Sequence, residues 1–450
     1  RVDIDGDYNA KQKQFTLKVK QTCPETAGGQ VKESLHIPLA ISLVGQNSTL
    51  PFVLKTENQY NGLAISGKKK NQDMVVLEVT ESTQTFVFEQ VNEKPVPSLF
   101  QGFSAPVKWA YDYSQDDLLR LLRIDDNDYG RWEASQLLWT QLIYQTMGEQ
   151  RLGRTTELPT DIITFYSELL EQVQDAPDMA LWLATKLLSL PSEAYIAELT
   201  EPTQVIDVIA IHRAHRAIKK QLASKLKYSF QKVYGCYEPV EPVSIEPAAM
   251  ALRALRNVAL DYLVDTEERL WVENCYQQLL FANNMTDAMS ALACLVNSEA
   301  DCAKNLKQQA LDTFYEKWQH HPLVINQWFE VQACCPLPNT LATVKKLVDH
   351  PAFDIKSPNQ VIALIGSFCT KNAINFHQEE GEGYQFLSDQ IIALNKINPQ
   401  MASRTLARSP MINWRRYDEK RQSLIRSQLQ RLQTLPNLSS EVSEVVNKCL

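Results

Sequence analysis

A run of alternating aspartates in RVDIDGDYN (residues 1–9) is the first group of side chains that suggests metal chemistry. A calcium-binding EF-hand loop needs oxygen ligands at alternate positions, a glycine at its sixth position and a glutamate at its twelfth. Counted from Asp3, those two positions hold Tyr8 and Gln14. The spacing therefore argues against calcium and favours a polar turn in front of a strand at residues 15–19.

A histidine pair in HRAHR is the second candidate for a metal site. His212 and His215 are three residues apart, so they share one face of a helix. A zinc-peptidase helix instead carries HExxH, with its histidines four residues apart and a glutamate between them. Arg213 and Arg216 beside the pair would also repel a bound cation. We therefore predict a structural role for both histidines.

Acidic residues crowd one loop, FHQEEGEGY (376–384), which contains Glu379, Glu380 and Glu382. Neighbouring carboxylates can work as an acid and a base or hold a cation. Glutamates at the start of a helix are also stabilised by the helix dipole, and this is the preferred interpretation. Because no Ser/His/Asp set, catalytic Cys/His pair or metal-ligand spacing emerges, the sequence predicts neither catalytic nor metal-binding residues in this chain.

The composition of the 450-residue chain is that of a globular protein, with 44% hydrophobic and 22% charged residues. A net charge of −8 argues against a nucleic-acid partner, and no apolar stretch approaches the roughly 20 residues of a membrane span. The nine cysteines include no CxxC and indicate reduced thiols, so a cytoplasmic location is expected. No role is assigned to the adjacent pair Cys334 and Cys335.

The first quarter of the chain carries the pattern of β-strands. Apolar and polar residues alternate over 35–43, and the apolar segments VVLEV (75–79) and TFVFE (85–89) follow between polar turns. Several short strands within about 110 residues are typical of a small β-sandwich. We therefore predict a β-sandwich domain over residues 1–113.

The pattern changes at Ser114, which has the side chain of a helix N-cap and is followed by helical periodicity. Helical segments with short connections then continue to the end of the chain, as in the stretch 205–226. Such segments favour stacked helix pairs. The predicted fold class is therefore multidomain β + α, with a large all-α superhelical domain, solenoid-like and similar to HEAT or armadillo repeats, over residues 114–450.

Several longer segments resemble one known family in their order and spacing along the whole chain. The family is bacterial aminopeptidase N, the zinc alanyl aminopeptidases of the gluzincin class, and the resemblance is to its C-terminal half. The segments that carry it include SLHIPLAISL (34–43), PVPSLFQGFSAPVK (95–108), NDYGRWEASQ (127–136), NNMTDAMSALA (283–293), NPQMASR (398–404) and RRYDEKRQ (415–422).

The resemblance implies the last two of four family domains, a small β-sandwich and a helical domain. The family's HExxH motif, its third zinc ligand and its GxMEN segment do not occur in this sequence. The zinc of such an enzyme, which activates water for peptide hydrolysis, is therefore expected in a catalytic domain outside this chain. The chain is predicted to hold no cofactor and to be inactive alone. RVDIDGDYN (1–9) then resembles the link between the catalytic domain and the sandwich.

The resemblance also implies a role for two residues of the helical domain, which in the family closes over the active-site cavity. Arg404 matches a family arginine that meets the distal end of the substrate, and Gln400 lies one helical turn earlier. An arginine can hold a carboxylate through two hydrogen bonds. A salt bridge at the surface or between helices is the alternative role of Arg404. A second family arginine aligns with Ile362, which puts a two-arginine clamp in doubt.

The leading hypothesis is a non-catalytic portion of a zinc aminopeptidase that gates access to the active site. Its expected partners are the enzyme's own N-terminal and catalytic domains and a peptide substrate, with no nucleic acid or membrane, and the expected state is a monomer. The alternative is a freestanding α-solenoid that serves as a scaffold for protein interactions. The preferred N-terminal residue of the substrate belongs to the catalytic domain and is not predicted.

Overall fold

The computed structural model describes residues 1–23, 32–55, 74–173, 178–236 and 243–450, and it consists of two compact units, Arg1–Leu142 and Ile143–Leu450. The first unit contains the strands and the first helix. The strands are β1 (Val2–Asn9), β2 (Gln14–Gln21), β3 (Ile37–Val44), β4 (Thr49–Leu50), β5 (Val53–Leu54), β6 (Met74–Val79), β7 (Thr83–Glu89), β8 (Val96–Leu99) and β9 (Trp109–Ala110).

The strands form two sheets. One has the order β5-β7-β2-β1-β9, and the other has the order β4-β3-β6, with β8 also paired to β3. Neighbouring strands are antiparallel except β9, which runs parallel to β1. Alternate residues of β2 (Phe15, Leu17 and Val19) are buried, as the period-two pattern requires.

The polar turn predicted at the start of the chain is wrong, because Val2–Asn9 is the strand β1. Val2 and Ile4 are buried, while the aspartates point to the other face, where Asp3 lies opposite Lys20 and Asp5 opposite Lys18 on β2. Opposite charges in cross-strand pairs stabilise a sheet. The alternation that resembled a calcium loop is therefore the polar face of a strand.

Helix α1 (Gln115–Ile124) begins as the sequence predicts. The Ser114 side chain accepts a hydrogen bond from the Asp117 backbone N–H, and the Asp117 carboxylate accepts one from the Ser114 N–H. This reciprocal capping box satisfies two backbone donors that the helix leaves unpaired. The domain boundary between residues 113 and 114 stays a prediction.

Helix α1 is joined to the strands by buried polar contacts within the first unit. The Ser98 hydroxyl on β8 donates to Asp125, the residue that ends α1, over 2.5 Å. The Gln101 amide donates to Ser42 on β3 over 2.7 Å, and the Tyr113 hydroxyl donates to the Pro97 carbonyl over 2.7 Å. These bonds give each buried polar side chain a partner.

The second helix, α2, spans Asp128–Arg151, and the rest of the chain is helical with short connections. Consecutive helices from α8 to α13 pack against one another, as stacked helical repeats do. A π-helical turn covers Ile362–Gly366, and a 3-10 segment covers Pro410–Arg416. The helices that follow α2 are α3 (Thr160–Gln172), α4 (Asp178–Leu187), α5 (Glu193–Leu199), α6 (Val208–Lys225), α7 (Lys227–Cys236), α8 (Pro247–Val264), α9 (Arg269–Phe281), α10 (Met285–Asn297), α11 (Ala303–Trp318), α12 (Pro322–Ala333), α13 (Thr340–Val348), α14 (Pro358–Val361), α15 (Ser367–Lys371), α16 (Ala373–Phe376), α17 (Glu382–Ile397), α18 (Pro399–Arg408), α19 (Glu419–Gln433) and α20 (Ser440–Cys449).

The nine cysteines are all unpaired in the structure. Five of them are buried, which is common for unpaired cysteine because the thiol packs as a small apolar group. Of the helices that the structure describes, none combines the length and apolarity needed to cross a membrane.

The two glycines at positions 383 and 148 give a test of the helix packing. A Cβ atom at Gly383, in the first turn of α17, would lie 2.2 Å from the Phe376 carbonyl oxygen. A Cβ atom at Gly148, in α2, would have no neighbour within 4 Å. Gly383→Ala should lower the free energy of unfolding by about 1–3 kcal/mol through overpacking. Gly148→Ala should raise it by up to ~1 kcal/mol through helix propensity. Urea unfolding followed by far-UV circular dichroism measures both, and equal effects would contradict the packing around Phe376.

Candidate functional site

Helix α18 (Pro399–Arg408) carries the two residues that the sequence predicts for substrate binding. The helix begins because the Asn398 side chain accepts a hydrogen bond from the Met401 N–H over 3.0 Å. Gln400 and Arg404 are exposed, and their spacing of four residues places both on one face.

The Arg404 guanidinium makes no ion pair or hydrogen bond with any residue in the described part of the chain. The described residues therefore offer no partner for Arg404 in its alternative role, a salt bridge. The side chain is free to meet a ligand, and its role in substrate binding, with that of Gln400, stays a prediction.

Ile362, where the resemblance implies that the family carries an arginine, is the first residue of the π-helical turn Ile362–Gly366. Its side chain is 46% exposed, a large fraction for isoleucine. The Ser367 hydroxyl donates to the Ile362 carbonyl over 3.3 Å and so satisfies an acceptor near the altered turn. Ile362 thus presents an apolar surface at this turn.

A cavity of about 400 Å³ lies at the C-terminal end of α18, and we call it the Arg408 cavity. Its walls come from α5, α6, the segment 370–377 and the segment 408–417. Most of the wall is apolar, and its polar groups include Glu193, Glu198, His377, Arg408 and Arg416.

Arg416 connects two distant segments at the edge of the Arg408 cavity. Its Nη2 group donates to the backbone carbonyls of Thr200 and Glu201, and its own carbonyl accepts a hydrogen bond from the Ile206 N–H over 2.8 Å. Its Nε atom is buried, with no hydrogen-bond partner among the described residues. Because the hydrogen-bond partners of its guanidinium are backbone carbonyl groups, the positive charge of Arg416 is not neutralised by an ion pair with any described residue.

His377, another residue of the Arg408 cavity wall, is buried to 2% exposure. Its Nδ1 atom lies 2.8 Å from the Tyr384 hydroxyl, and its ring lies 4.5 Å, centroid to centroid, from that of Tyr417. The Arg421 Nε–H donates to the His377 carbonyl over 2.9 Å. Burial, reinforced by the positive charge of Arg421, lowers the pKa of His377 to about 3, so the imidazole is neutral.

A second cavity, of about 570 Å³, lies between α6, α8 and α10, and we call it the His215 cavity. Lys219 Nζ lies 2.7 Å from Asp261 and 2.8 Å from Asp265, and the Arg216 guanidinium lies 3.1 Å from Asp265. Burial acts to lower the pKa of Lys219, but the two aspartates outweigh it and raise the pKa. The charges of this wall are therefore largely paired.

The HRAHR histidines lie in the wall of the His215 cavity. The His212 Nδ1 atom is 2.8 Å from the Glu193 carboxylate. Burial lowers the pKa of His215, whose Nδ1 atom has no hydrogen-bond partner among the described residues. Within the described ranges, no three or more His, Cys, Asp or Glu side chains are grouped so that they could hold a metal ion. The residues therefore do not fit a zinc site.

The vicinal cysteines differ in their surroundings. Cys334 is half-buried and lines the His215 cavity, and burial raises its pKa to about 11. Cys335 is buried, and its thiol donates to the Val296 carbonyl over 3.2 Å. A raised pKa keeps the Cys334 thiol protonated and unreactive at neutral pH.

The acidic loop confirms the interpretation of a helix start. Glu382 lies in the first turn of α17, and its carboxylate is 3.3 Å from Lys345. Glu379 precedes the helix and lies 3.1 Å from Lys420. These carboxylates pair with surface lysines. Glu382 also lines a cavity of about 410 Å³ together with Asp349, Asp389 and Lys345.

Arg408 and Arg416 were missed by the sequence reasoning. Arg408 lies four residues after Arg404, as Arg404 lies four after Gln400, so the three side chains repeat along one exposed face. That repeat could have identified Arg408. Nothing local identifies Arg416, because its partners lie 215 and 216 residues away along the chain.

Two family models match the chain. One, described as "Domain of unknown function (DUF3458) Ig-like fold", matches residues 1–112. The other, described as "Domain of unknown function (DUF3458_C) ARM repeats", matches residues 115–450. Together with the strands and helices above, these matches confirm the predicted fold class of a small β-domain followed by a solenoid-like helical domain.

Curated relatives match over the whole chain. Aminopeptidase N of Haemophilus influenzae is 36% identical over 448 residues, which are 99% of this chain and 48% of the relative. Aminopeptidase N of Escherichia coli is 36% identical over 450 residues, which are 100% of this chain and 48% of the relative. The chain thus spans about half the length of the curated relatives it matches.

A solved structure also matches the whole length of this chain and about half of its own. The crystal structure of Legionella pneumophila aminopeptidase A in complex with aspartic acid matches with a TM-score of 0.80 and 28% sequence identity. The match covers 100% of this chain and 48% of that chain. The two proteins therefore share the fold of this entire segment.

The buried His377 predicts a dependence of stability on pH. The folded pKa of about 3 lies below the ordinary value of 6.5, so the unfolded chain binds a proton that the folded chain does not. The contribution of the neutral His377 to the free energy of unfolding is fully present above pH 6.5 and is lost as the pH falls from 6.5 toward 3. Over that range the free energy of unfolding should fall by an amount that approaches about 1.4 kcal/mol per pH unit.

The matched variant is His377→Gln, which removes the titrating group. Urea unfolding at several pH values between 7 and 4 gives the slope of the free energy of unfolding against pH. This slope should be smaller in the variant than in the parent chain, by the equivalent of about one bound proton. His320→Gln serves as the control, because His320 is an exposed histidine near the end of α11 and should leave the slope unchanged. Identical slopes for His377→Gln and the parent would contradict the buried, neutral imidazole.

Proposed function

The chain belongs to the DUF3458 family and corresponds to the C-terminal part of aminopeptidase N, and from this premise we propose that it serves a zinc-dependent aminopeptidase as its non-catalytic portion. Such an enzyme removes N-terminal amino acids from peptides. The observation that carries the proposal is a match over the full chain in a sequence without HExxH. The zinc that activates water would be held by a catalytic domain outside these residues.

In this proposal the helical part gates access to the active-site cavity and contacts the distal end of the substrate. Its partners are the N-terminal and catalytic domains of the same enzyme, together with the peptide. The exposed Arg404, which has no partner in the described part of the chain, supports the substrate contact. A guanidinium can bind a peptide carboxylate through two parallel hydrogen bonds, and Gln400 on the same face can bind the adjacent amide.

A second candidate function is a freestanding scaffold for protein interactions. The observation that favours it is the ARM-repeat match, because stacked helical repeats commonly provide extended binding surfaces. Sequencing the gene upstream of the codon for Arg1 distinguishes the two functions. A reading frame that continues into a gluzincin domain supports the aminopeptidase portion, whereas a start codon immediately before the codon for Arg1 supports the scaffold.

The purified 450-residue chain should be inactive by itself. We expect no bound zinc by metal analysis and no cleavage of alanyl-nitroanilide, because the chain lacks HExxH. The whole enzyme serves as the positive control for both measurements. Turnover by the 450-residue chain, at a rate that survives removal of contaminating peptidases, would contradict the non-catalytic role.

Arg404→Ala in the whole enzyme should impair the cleavage of longer peptides more than that of alanyl-nitroanilide. Hydrogen bonds to charged groups are worth about 1.5–3 kcal/mol, so kcat/KM for a peptide that reaches Arg404 should fall by about 10–100-fold. The matched control is Arg426→Ala, an exposed arginine on α19 that has no ion pair with any described residue. Equal losses on the peptide and the nitroanilide would count against substrate contact by Arg404.

A further inference from the structure

We propose that the Arg408 cavity binds the carboxyl-terminal residue of a peptide, with the carboxylate on Arg408 and Arg416 and an apolar side chain against the cavity wall. The inference rests on the proposed function, because it extends the contact at Arg404 to a second contact further along α18.

The size and lining of the cavity fit an apolar side chain. Its volume of about 400 Å³ is within the range of cavities that hold small ligands. The wall contains the aliphatic side chains of Ala197, Ile206, Val208, Ile211 and Ile412. Burying an apolar side chain against such a wall removes its surface from water, which is the main favourable contribution to binding.

The charges at the cavity fit a carboxylate. Arg408 is exposed, and no described residue forms an ion pair or hydrogen bond with its guanidinium. Arg416 also lines the cavity, and its hydrogen-bond partners are the backbone carbonyls of Thr200 and Glu201, so no described carboxylate pairs with its charge. Hydrogen bonds from guanidinium to carboxylate are among the stronger ones in proteins.

Two acidic side chains, Glu193 and Glu198, also line the cavity. The Glu193 carboxylate is already 2.8 Å from His212 Nδ1. Glu198 is the second acid of the wall, and it would attract the amine of a free amino acid. A free amino acid and the end of a peptide therefore share the carboxylate chemistry, and the ligand's amine distinguishes them.

The exposed face of α18 connects the two contacts. Arg404 and Arg408 are one helical turn apart, a distance of about 6 Å along the axis. An extended peptide advances about 3.3 Å per residue, so roughly two further residues cover that distance. Peptides whose carboxylate would stop at Arg404 are thus about two residues shorter than those whose carboxylate reaches Arg408.

Isothermal titration calorimetry on the 450-residue chain tests the proposal without any turnover. The probes are N-acetyl-Ala-Ala-Leu with a free carboxylate, the same peptide as its C-terminal amide, and free leucine. We expect the acid to bind at least about tenfold more tightly than the amide, because only the acid pairs with both arginines. Arg408→Gln should weaken binding of the acid by about tenfold or more. Ala197→Leu, which fills the cavity, should abolish it.

Arg426→Gln is the matched control and should bind the acid as the parent does, while far-UV circular dichroism verifies that each variant folds. Equal binding of acid and amide, unchanged binding by Arg408→Gln, or a dissociation constant of the acid weaker than about 10 mM overturns the proposal. Binding of free leucine without binding of the acetylated acid also overturns it, in favour of an amino-acid site. Since Arg404 is unchanged here, failure of this test leaves the turnover test of Arg404 intact.

Discussion

Lys219 lies between two aspartates, Asp261 at 2.7 Å and Asp265 at 2.8 Å, and Arg216 pairs with the same Asp265. These ion pairs join α6 to α8 where Lys219, Asp265 and Arg216 have lost much of their contact with water, while the Asp261 side chain stays 44% exposed. A charge in such a place is tolerated only with its partner, because desolvation is expensive, and removal of one partner typically costs about 3–5 kcal/mol. The pairs therefore fix which residues of α6 face α8.

The orientation of α6 in turn determines the walls of both cavities. Val208 and Ile211 on this helix line the Arg408 cavity, while His212 and His215 line the His215 cavity. A rotation of α6 by one residue, about 100°, would withdraw these side chains and unpair the buried charges together. The ion pairs thus set the geometry of the candidate site, although none of them lies in the Arg408 cavity.

The sequence predicts those parts of the fold that depend on local patterns. The helix start at Ser114 follows from an N-cap side chain and the helical period after it, both within one segment. The strand Val2–Asn9 was missed because only Val2 and Ile4 mark its apolar face, and its identity depends on pairing with β2. Arg416 was missed for the same reason, because Thr200 and Glu201 are remote in the chain. Contacts between distant segments leave no periodic signal in a single sequence.

The electrostatic character of the Arg408 cavity follows from which of its groups can change charge. Arginine stays protonated throughout the physiological range, so Arg408 and Arg416 each keep a positive charge in the cavity wall. Burial removes His377 from the titration, so a neutral imidazole contributes wall surface without charge. Glu193, which faces His212, and Glu198 are the two acids that line the cavity among the described residues. Because neither arginine has an ion pair with a described residue, two guanidinium groups beside an aliphatic wall favour a ligand that combines a carboxylate with an apolar group.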